Sequence, residues 1–261
     1  MKLLFCGDVV GRSGRDAVLH HVPRLKHQHD LDAVIVNVDN AAGGFGVTAE
    51  IVREFERAGV DVMTGGDHVF DQKDALSLLS REQRLLRPHN YPSSVSGTGC
   101  RVFEVKGGKK LLVLHLLGQV FHKEYLDSPF TCAEMALAPY RLGQTVDAIV
   151  VDMHAEATSE KMAMGVFLDG RVSAVVGSHT HVPTADARVL KGGTAYQTDT
   201  GMCGDYDSVI GFNPTAPMQQ FLQKNRKVRM EPASGTATLS AALITLHPTG
   251  LAESIEYLAL K

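Results

Sequence analysis

Two histidines separated by one residue, His179 and His181, lie in the stretch Val176 to Asp186, which reads VGSHTHVPTAD. The apolar run Val172 to Val176 before them reads as a buried strand, and Gly177 breaks it. On an extended backbone alternate side chains share a face, so the two imidazoles would point the same way just past the strand end. Such a pair can hold a divalent transition metal. Taken alone it reads equally as two polar loop residues, and further ligands must come from elsewhere in the chain.

Candidates recur at the ends of other apolar runs. Asp8 follows Lys2 to Cys6, Asp39-Asn40 follows Asp32 to Val38, Asp67-His68 follows Val60 to Thr64, and His154 follows Val146 to Val151. Each alone reads as a turn or helix-capping residue. Together, carboxylates, an amide and several imidazoles suit a pair of hard or borderline cations such as Mn, Fe, Mg or Zn. A bridging carboxylate would hold two ions about 3.5–4 Å apart, the spacing used to hydrolyse phosphate esters through a metal-activated hydroxide.

The elements that must carry these residues alternate. Strands at 2–6, 32–38 and 60–64 are separated by helices expected at 14–26, where Pro23 would kink or end the helix, and at 49–58, capped by Thr48. A further helix starts near Asp71 or Lys73 and ends at Arg87-Pro88. This rhythm predicts an α/β sheet of mostly parallel strands, with functional residues gathered outside their carboxyl ends. A hairpin pairs 101–105 with 110–116 around Gly107-Gly108, a short helix falls near 131–137, and a helix over 159–167 leaves Glu160 and Lys161 exposed. Strands at 184–189 and 194–197, a helix at 218–223, and strands at 227–231, 236–247 and 254–260 make the second half strand-rich. The pattern predicts one domain over residues 1–261, built as two stacked sheets with helices outside.

Composition bounds the function. The 261 residues are 44% hydrophobic and 21% charged, as in an ordinary globular protein, and a formal net charge of -3 argues against a nucleic-acid footprint. The basic stretch Lys224 to Arg229 reads as a solvated face. Cys6, Cys100, Cys132 and Cys203 are scattered and form no C-x-x-C pair, so reduced thiols are expected. No stretch approaches the roughly 20 apolar residues of a membrane span, and the apolar run before Cys6 is too short for a signal peptide. A cytoplasmic protein without membrane association is expected.

Five ordered motifs carry a resemblance. GDVVG at the start, DNAAGG, GDH at 66–68, DMHAEATSEK at 152–161 and GSHTHVPTAD at 177–186 resemble the calcineurin-like metallophosphoesterases, and within them the bacterial YmdB-type branch. The likeness runs over nearly the whole chain, including AYQTDTG at 195–201. It implies a four-layer αββα sandwich of two mixed sheets flanked by helices, a dinuclear centre of divalent or mixed-valence ions, and phosphodiesterase activity on cyclic nucleotides. The implied substrates are small phosphodiesters, chiefly 2′,3′-cyclic nucleotides with cAMP as a further candidate, and a homo-oligomer is implied too. The implied metal ligands are Asp8, Asp39, Asn40, Asp67, His154, His179 and His181. His68 is implied as proton donor to the leaving oxygen, a role suited to an imidazole of ordinary pKa about 6.5. The branch has Glu where this chain has Asp39, and Asn where it has Asp67. Where many phosphoesterases have Asp-x-His at the first strand, this chain has Asp8-Val9-Val10, as does the branch.

Other residues carry less. His20, His21, His27 and His29 read as surface groups along or just after the first helix. His89, His115, His122 and His247 have no acidic companion at ligand spacing, and Cys203 reads as a small buried residue. Two other functions fit the same motifs: a nucleotide phosphomonoesterase, and a metal-binding regulator with little catalysis.

Overall fold

The computed structural model describes residues 1–122, 126–223 and 228–261. In chain order its elements are β1 (Lys2–Cys6), β2 (Asp8–Val9), α1 (Gly11–Gln28), β3 (Ala33–Asn37), α2 (Ala49–Arg57), β4 (Val62–Thr64), α3 (Ala75–Arg81), β5 (Leu85–Leu86), β6 (Cys100–Val105), β7 (Lys109–Leu117) and α4 (Pro129–Leu137). Then follow β8 (Ala148–His154), α5 (Thr158–Leu168), β9 (Ala174–Ser178), β10 (Arg188–Val189), β11 (Ala195–Gln197), β12 (Met202–Asp205), α6 (Thr215–Gln223), β13 (Ala237–Leu246) and β14 (Ala252–Leu260).

These form two mixed sheets. The first runs β2-β12-β13-β1-β3-β4-β5, with β14 also paired to β13; the second runs β10-β11-β9-β8-β7-β6. In the first, β1, β3, β4 and β5 are parallel neighbours, and β13 joins antiparallel to β1, β12 and β14. In the second, β7, β8, β9 and β11 are parallel, flanked by antiparallel β6 and β10.

The period-2 alternation of strand side chains explains the layering. Along β1, Leu3 and Phe5 point into a core shared with Val113, Val150 and Val176 of the second sheet. Leu4 and Cys6 point the other way, against Val18 and Val22 of α1 and Phe55 of α2. The outer face of the second sheet packs Leu114 and Val151 on Leu137 of α4 and Met164 of α5. Strands covered on both faces must be apolar on both, which is why they read as unbroken hydrophobic runs. The result is helix, sheet, sheet, helix, the four-layer α/β sandwich expected.

Several boundaries differ from the sequence reading. Helix α1 starts at Gly11 and continues through Pro23, whose exposed position lets the ring displace one backbone bond while Val18, Val22 and Leu25 hold the helix to the sheet. Thr48 caps α2 as expected, its Oγ1 accepting the Ile51 N–H at 3.4 Å. Strands β5 and β12 are too short to show a period in the sequence. No strand forms over 228–231; the first residue of the strand expected at 227–231, and most of the basic stretch 224–229, lie outside the described residues. Among the described residues no helix is long and apolar enough to cross a membrane.

Candidate metal centre

Parallel strands bring their carboxyl ends to one edge, and the candidate ligands collect there. Asp8 opens β2 directly after β1, Asp39-Asn40 follow β3, Asp67-His68 follow β4, His154 ends β8, and His179 to His181 follow β9. The first sheet therefore supplies the carboxylates, the amide and His68, and the second supplies the other three imidazoles. The seam is tight. A Cβ added at Gly66 would lie 2.4 Å from His154 Nε2 and 2.6 Å from Asp39 Cγ, so only glycine allows the strand-end loop to pass this close.

Acceptor atoms face one another across the seam. Ser178 Oγ donates to Asp152 Oδ1 at 2.6 Å and so accepts from His154 Nδ1 at 2.9 Å. In the neutral imidazole the opposite nitrogen, His154 Nε2, is left with its lone pair. It lies 3.1 Å from Asp67 Oδ1, 3.2 Å from His179 Nδ1 and 3.5 Å from Asp39 Oδ2. Asp67 Oδ1 is 3.4 Å from His179 Nδ1. Ligands on metal bonds of about 2.0–2.1 Å stand about 3–3.4 Å apart in tetrahedral or octahedral geometry. Asp67, His154 and His179 form one compact group of this kind, and Asp39, Asp67 and His68 form a second, with Asp67 common to both.

His181 and Asn40 repeat the arrangement. His181 Nδ1 donates to Ile210 O at 2.7 Å, and Asn40 Nδ2 donates to Gly44 O at 2.9 Å. This turns His181 Nε2 toward Asn40 Oδ1, 3.1 Å away. Burial pushes the His181 imidazole below its usual pKa, toward the neutral form. Two buried lone pairs at that distance call for a cation. The titratable groups show the same shortage of positive charge. Burial, with Asp199 and Asp152 nearby, pushes the Asp8 carboxyl up to about 7 against the pull of His154. Burial works against charge on His154, yet Asp39 and Asp67 beside it raise its pKa well above the ordinary value, favouring a proton on Nε2 that a cation would displace. Asp67 is held well below the carboxylate range, against burial, by hydrogen bonds with His154 and His179.

The His-Thr-His segment is not extended. His179 has φ 96° and His181 φ 65°. Left-handed backbone at a non-glycine residue costs on the order of 1–3 kcal/mol and persists only where its surroundings impose it. The two imidazoles therefore diverge, His179 toward Asp67 and His154, His181 toward Asn40. Asp8 secures the turn by accepting the His179 N–H at 3.1 and 3.0 Å. Asp8 and His181 thus belong to the same cluster but lie outside the two compact groups.

Residues not singled out from the sequence surround this cluster. Asp152 is two residues before His154 on β8, hence on the same face, and it also accepts from Thr64 Oγ1 at 2.6 Å and Asn37 Nδ2 at 3.2 Å. His115, expected to lack an acidic companion, has Nδ1 3.2 Å from Asp152 Oδ2, both fully buried, because β7 and β8 pair in parallel register. Asp71, one turn after His68, lies 2.8 Å from its Nδ1. Glu160 and Lys161 are buried rather than exposed: the start of α5 docks on the site, where Glu160 accepts the Gln119 N–H at 2.9 Å and Lys161 meets Asp199. His21 is buried in α1, also against expectation. The His122 ring centroid stands 4.9 Å from that of His179. Cys203 is buried as expected, its Sγ 3.5 Å from Ser240 O.

A family model described as YmdB-like protein matches residues 4–258. The chain is 42% identical over 246 residues to the 2′,3′-cyclic-nucleotide 2′-phosphodiesterase of Bacillus subtilis (strain 168), covering 94% of this chain and 91% of that protein. Its fold matches a hypothetical protein from Thermus thermophilus with a TM-score of 0.92 at 40% identity, over 99% of this chain and 98% of the other. A novel phosphatase from Mycoplasma pneumoniae also matches with a TM-score of 0.92, at 33% identity, over 100% and 93% of the respective chains.

Proposed function

This chain belongs to the YmdB-like protein family, and we propose from that premise that it is a metal-dependent phosphodiesterase of cyclic nucleotides, 2′,3′-cyclic nucleotides first among them. The hydrolytic metallophosphoesterase class agrees with the names its relatives carry. The observation that carries the metal-dependent reading is the convergence of lone pairs at His154 Nε2, His179 Nδ1, Asp67 Oδ1 and, alongside, His181 Nε2 with Asn40 Oδ1. The donor set fits divalent ions: mixed carboxylate and imidazole, tightly spaced, with the Nδ1 partners of His154 and His181 turning Nε2 inward. Asp67, His154 and His179 would hold one ion, Asp39 and Asp67 a second, with Asp8, Asn40 and His181 completing the shells. Such ions, when bound, supply Lewis-acid polarisation of the phosphoryl oxygens and a nucleophilic water at neutral pH.

The chain's own proton chemistry falls to His68. Burial works against its charge, but Asp39, Asp67 and Asp71 raise its pKa above the ordinary imidazole value. Its Nδ1 is engaged by Asp71 Oδ2, so Nε2, 3.7 Å from Asp67 Oδ2, carries the proton available to a leaving alkoxide. The Phe45 ring packs edge-on to the imidazole at 5.0 Å and limits its rotation. The whole chain, residues 1–261, acts as one catalytic domain.

Treatment with a chelator is expected to abolish turnover of 2′,3′-cAMP, and Mn²⁺ is expected to restore it, with bis(p-nitrophenyl) phosphate cleaved in preference to p-nitrophenyl phosphate. Preference for the monoester would replace this reading with a phosphomonoesterase, and bound metal without turnover would replace it with a regulator. Two further outcomes follow from the geometry. Ser178→Ala removes the acceptor that fixes the His154 tautomer, and the loss in metal affinity is expected to be ~10–100-fold, measured by titration calorimetry. Asp67→Asn removes one anionic ligand. It is expected to weaken Mn²⁺ binding and to move the pH–rate profile to lower pH, because fewer anionic ligands leave the ions more electrophilic; superimposable profiles would refute the charge argument.

A further inference from the structure

Lys161 and Asp199 are both fully buried, and the chemistry above uses neither. Lys161 Nζ donates to Asp199 Oδ2 at 2.7 Å. The same oxygen accepts the Thr180 N–H at 3.1 Å and the Thr180 hydroxyl at 2.8 Å, while Oδ1 accepts the Gly201 N–H at 2.8 Å. The backbone of Asp199 is tied in turn to Thr184, whose Oγ1 accepts the Asp199 N–H at 2.9 Å and whose N–H donates to Asp199 O at 3.0 Å. Thr180 is the residue between the two left-handed histidines. The lysine stem reaches Asp199 past Gly177, where an added Cβ would stand 2.9 Å from Lys161 Cδ and 1.8 Å from Thr198 O.

We propose that Lys161 and Asp199 are positioning residues, a buried clamp on Thr180 that sets the left-handed His-Thr-His turn and so the placement of His179 and His181 as metal ligands; this rests on the reading of the site as a metal centre. A turn that L-residues disfavour needs an external constraint, and hydrogen bonds to Thr180 supply one in the middle of it. The Lys161 ammonium is the charged donor on the same buried oxygen that holds Thr180. Removing the ammonium therefore loosens the grip on Thr180, and the imidazoles drift from the ligand geometry while the sheets remain packed. A salt bridge that served general stability alone would not touch the coordination.

The test uses the full chain, stripped of metal and titrated with Co²⁺, whose visible absorption reports ligand number and geometry. Lys161→Met is expected to bind Co²⁺ ~10–100-fold more weakly, as loss of outer-sphere support does, with an altered visible spectrum and unchanged far-ultraviolet circular dichroism. Thr180→Val keeps the side-chain shape but lacks the donated hydroxyl, and should shift affinity and spectrum in the same direction by less. Lys109→Met breaks an ion pair of similar length, 2.8 Å to Asp32, at the opposite end of β7, and should leave both readouts as in wild type. Wild-type affinity and spectrum in Lys161→Met and Thr180→Val, or an equal shift in Lys109→Met, overturns the clamp while the metal centre stands. A wild-type chain that binds no Co²⁺ removes the metal reading and the clamp together. If Lys161→Met does not fold, Thr180→Val decides.

Discussion

His179→Gly is expected to lose more phosphodiesterase activity than the ~10–100-fold typical of losing an outer partner, because on the proposed reading it deletes a ligand itself, yet to melt no lower than wild type by more than a few degrees. The two halves of this expectation come from different atoms. The imidazole contributes Nδ1 to the group with Asp67 and His154, and without it that group has two members. The backbone at φ 96° is one that glycine enters without a Cβ penalty, so relief of strain offsets the added freedom of the unfolded chain. Alanine at the same position would confound the two, since it removes the ligand and keeps the strain. The measurements are turnover of 2′,3′-cAMP, metal content by elemental analysis, and a thermal melt. Near-normal turnover with full metal content would remove His179 from the site.

His68→Ala is expected to cost ~10²–10⁴ in rate on nucleotide substrates, the range for losing a general acid, with metal content close to wild type. The loss should shrink for bis(p-nitrophenyl) phosphate, whose leaving group needs little protonation. An equal loss on both would argue that His68 serves the metals instead, as its place in the compact group with Asp39 and Asp67 also permits. The pH dependence has a definite sign. A general acid works while protonated, and the raised pKa of His68 keeps it so above the ordinary imidazole range; activity then falls as pH rises through the raised value. Asp71→Asn removes one of the anions that raise it, so the alkaline limb of the profile should move to lower pH. A limb that stays in place would separate His68 from the titration.

The fold is legible in the sequence because its strands are covered on both faces. Runs such as those at β3 and β9 announce themselves, and the residue that ends each run is a candidate by position alone. That logic locates Asp8, Asp39, Asp67, His154, His179 and His181 without any knowledge of how the strands pair. What it misses depends on pairing. His115 meets Asp152 only because β7 and β8 lie side by side in one register. Glu160 and Lys161 look like a solvated first helical turn, and nothing in their neighbours reveals that the turn is docked on the loops of the site. The left-handed turn at 179–181 reads as extended because positive φ without glycine has no signature in sequence. It is imposed by Asp8 and Asp199, which are distant along the chain.

The segment after β11 has a consequence for motion. Its Thr198 carbonyl lies where a Cβ on Gly177 would be, 1.8 Å away, and its Gly201 carbonyl lies 1.9 Å from where a Cβ on Gly7 would be. One stretch of backbone is thus wedged between β9 of one sheet and the β1–β2 junction of the other, and hydrogen bonds Thr200 N–H to Gly177 O at 3.0 Å and Asp8 N–H to Gly201 O at 3.1 Å fasten it on both sides. Sliding or hinging one sheet against the other would drive a carbonyl into a neighbouring chain or tear these bonds. The halves that carry the carboxylates and the imidazoles are therefore fastened together through this segment. The spacing between the two sets of candidate ligands is thus set by this one shared stretch of backbone.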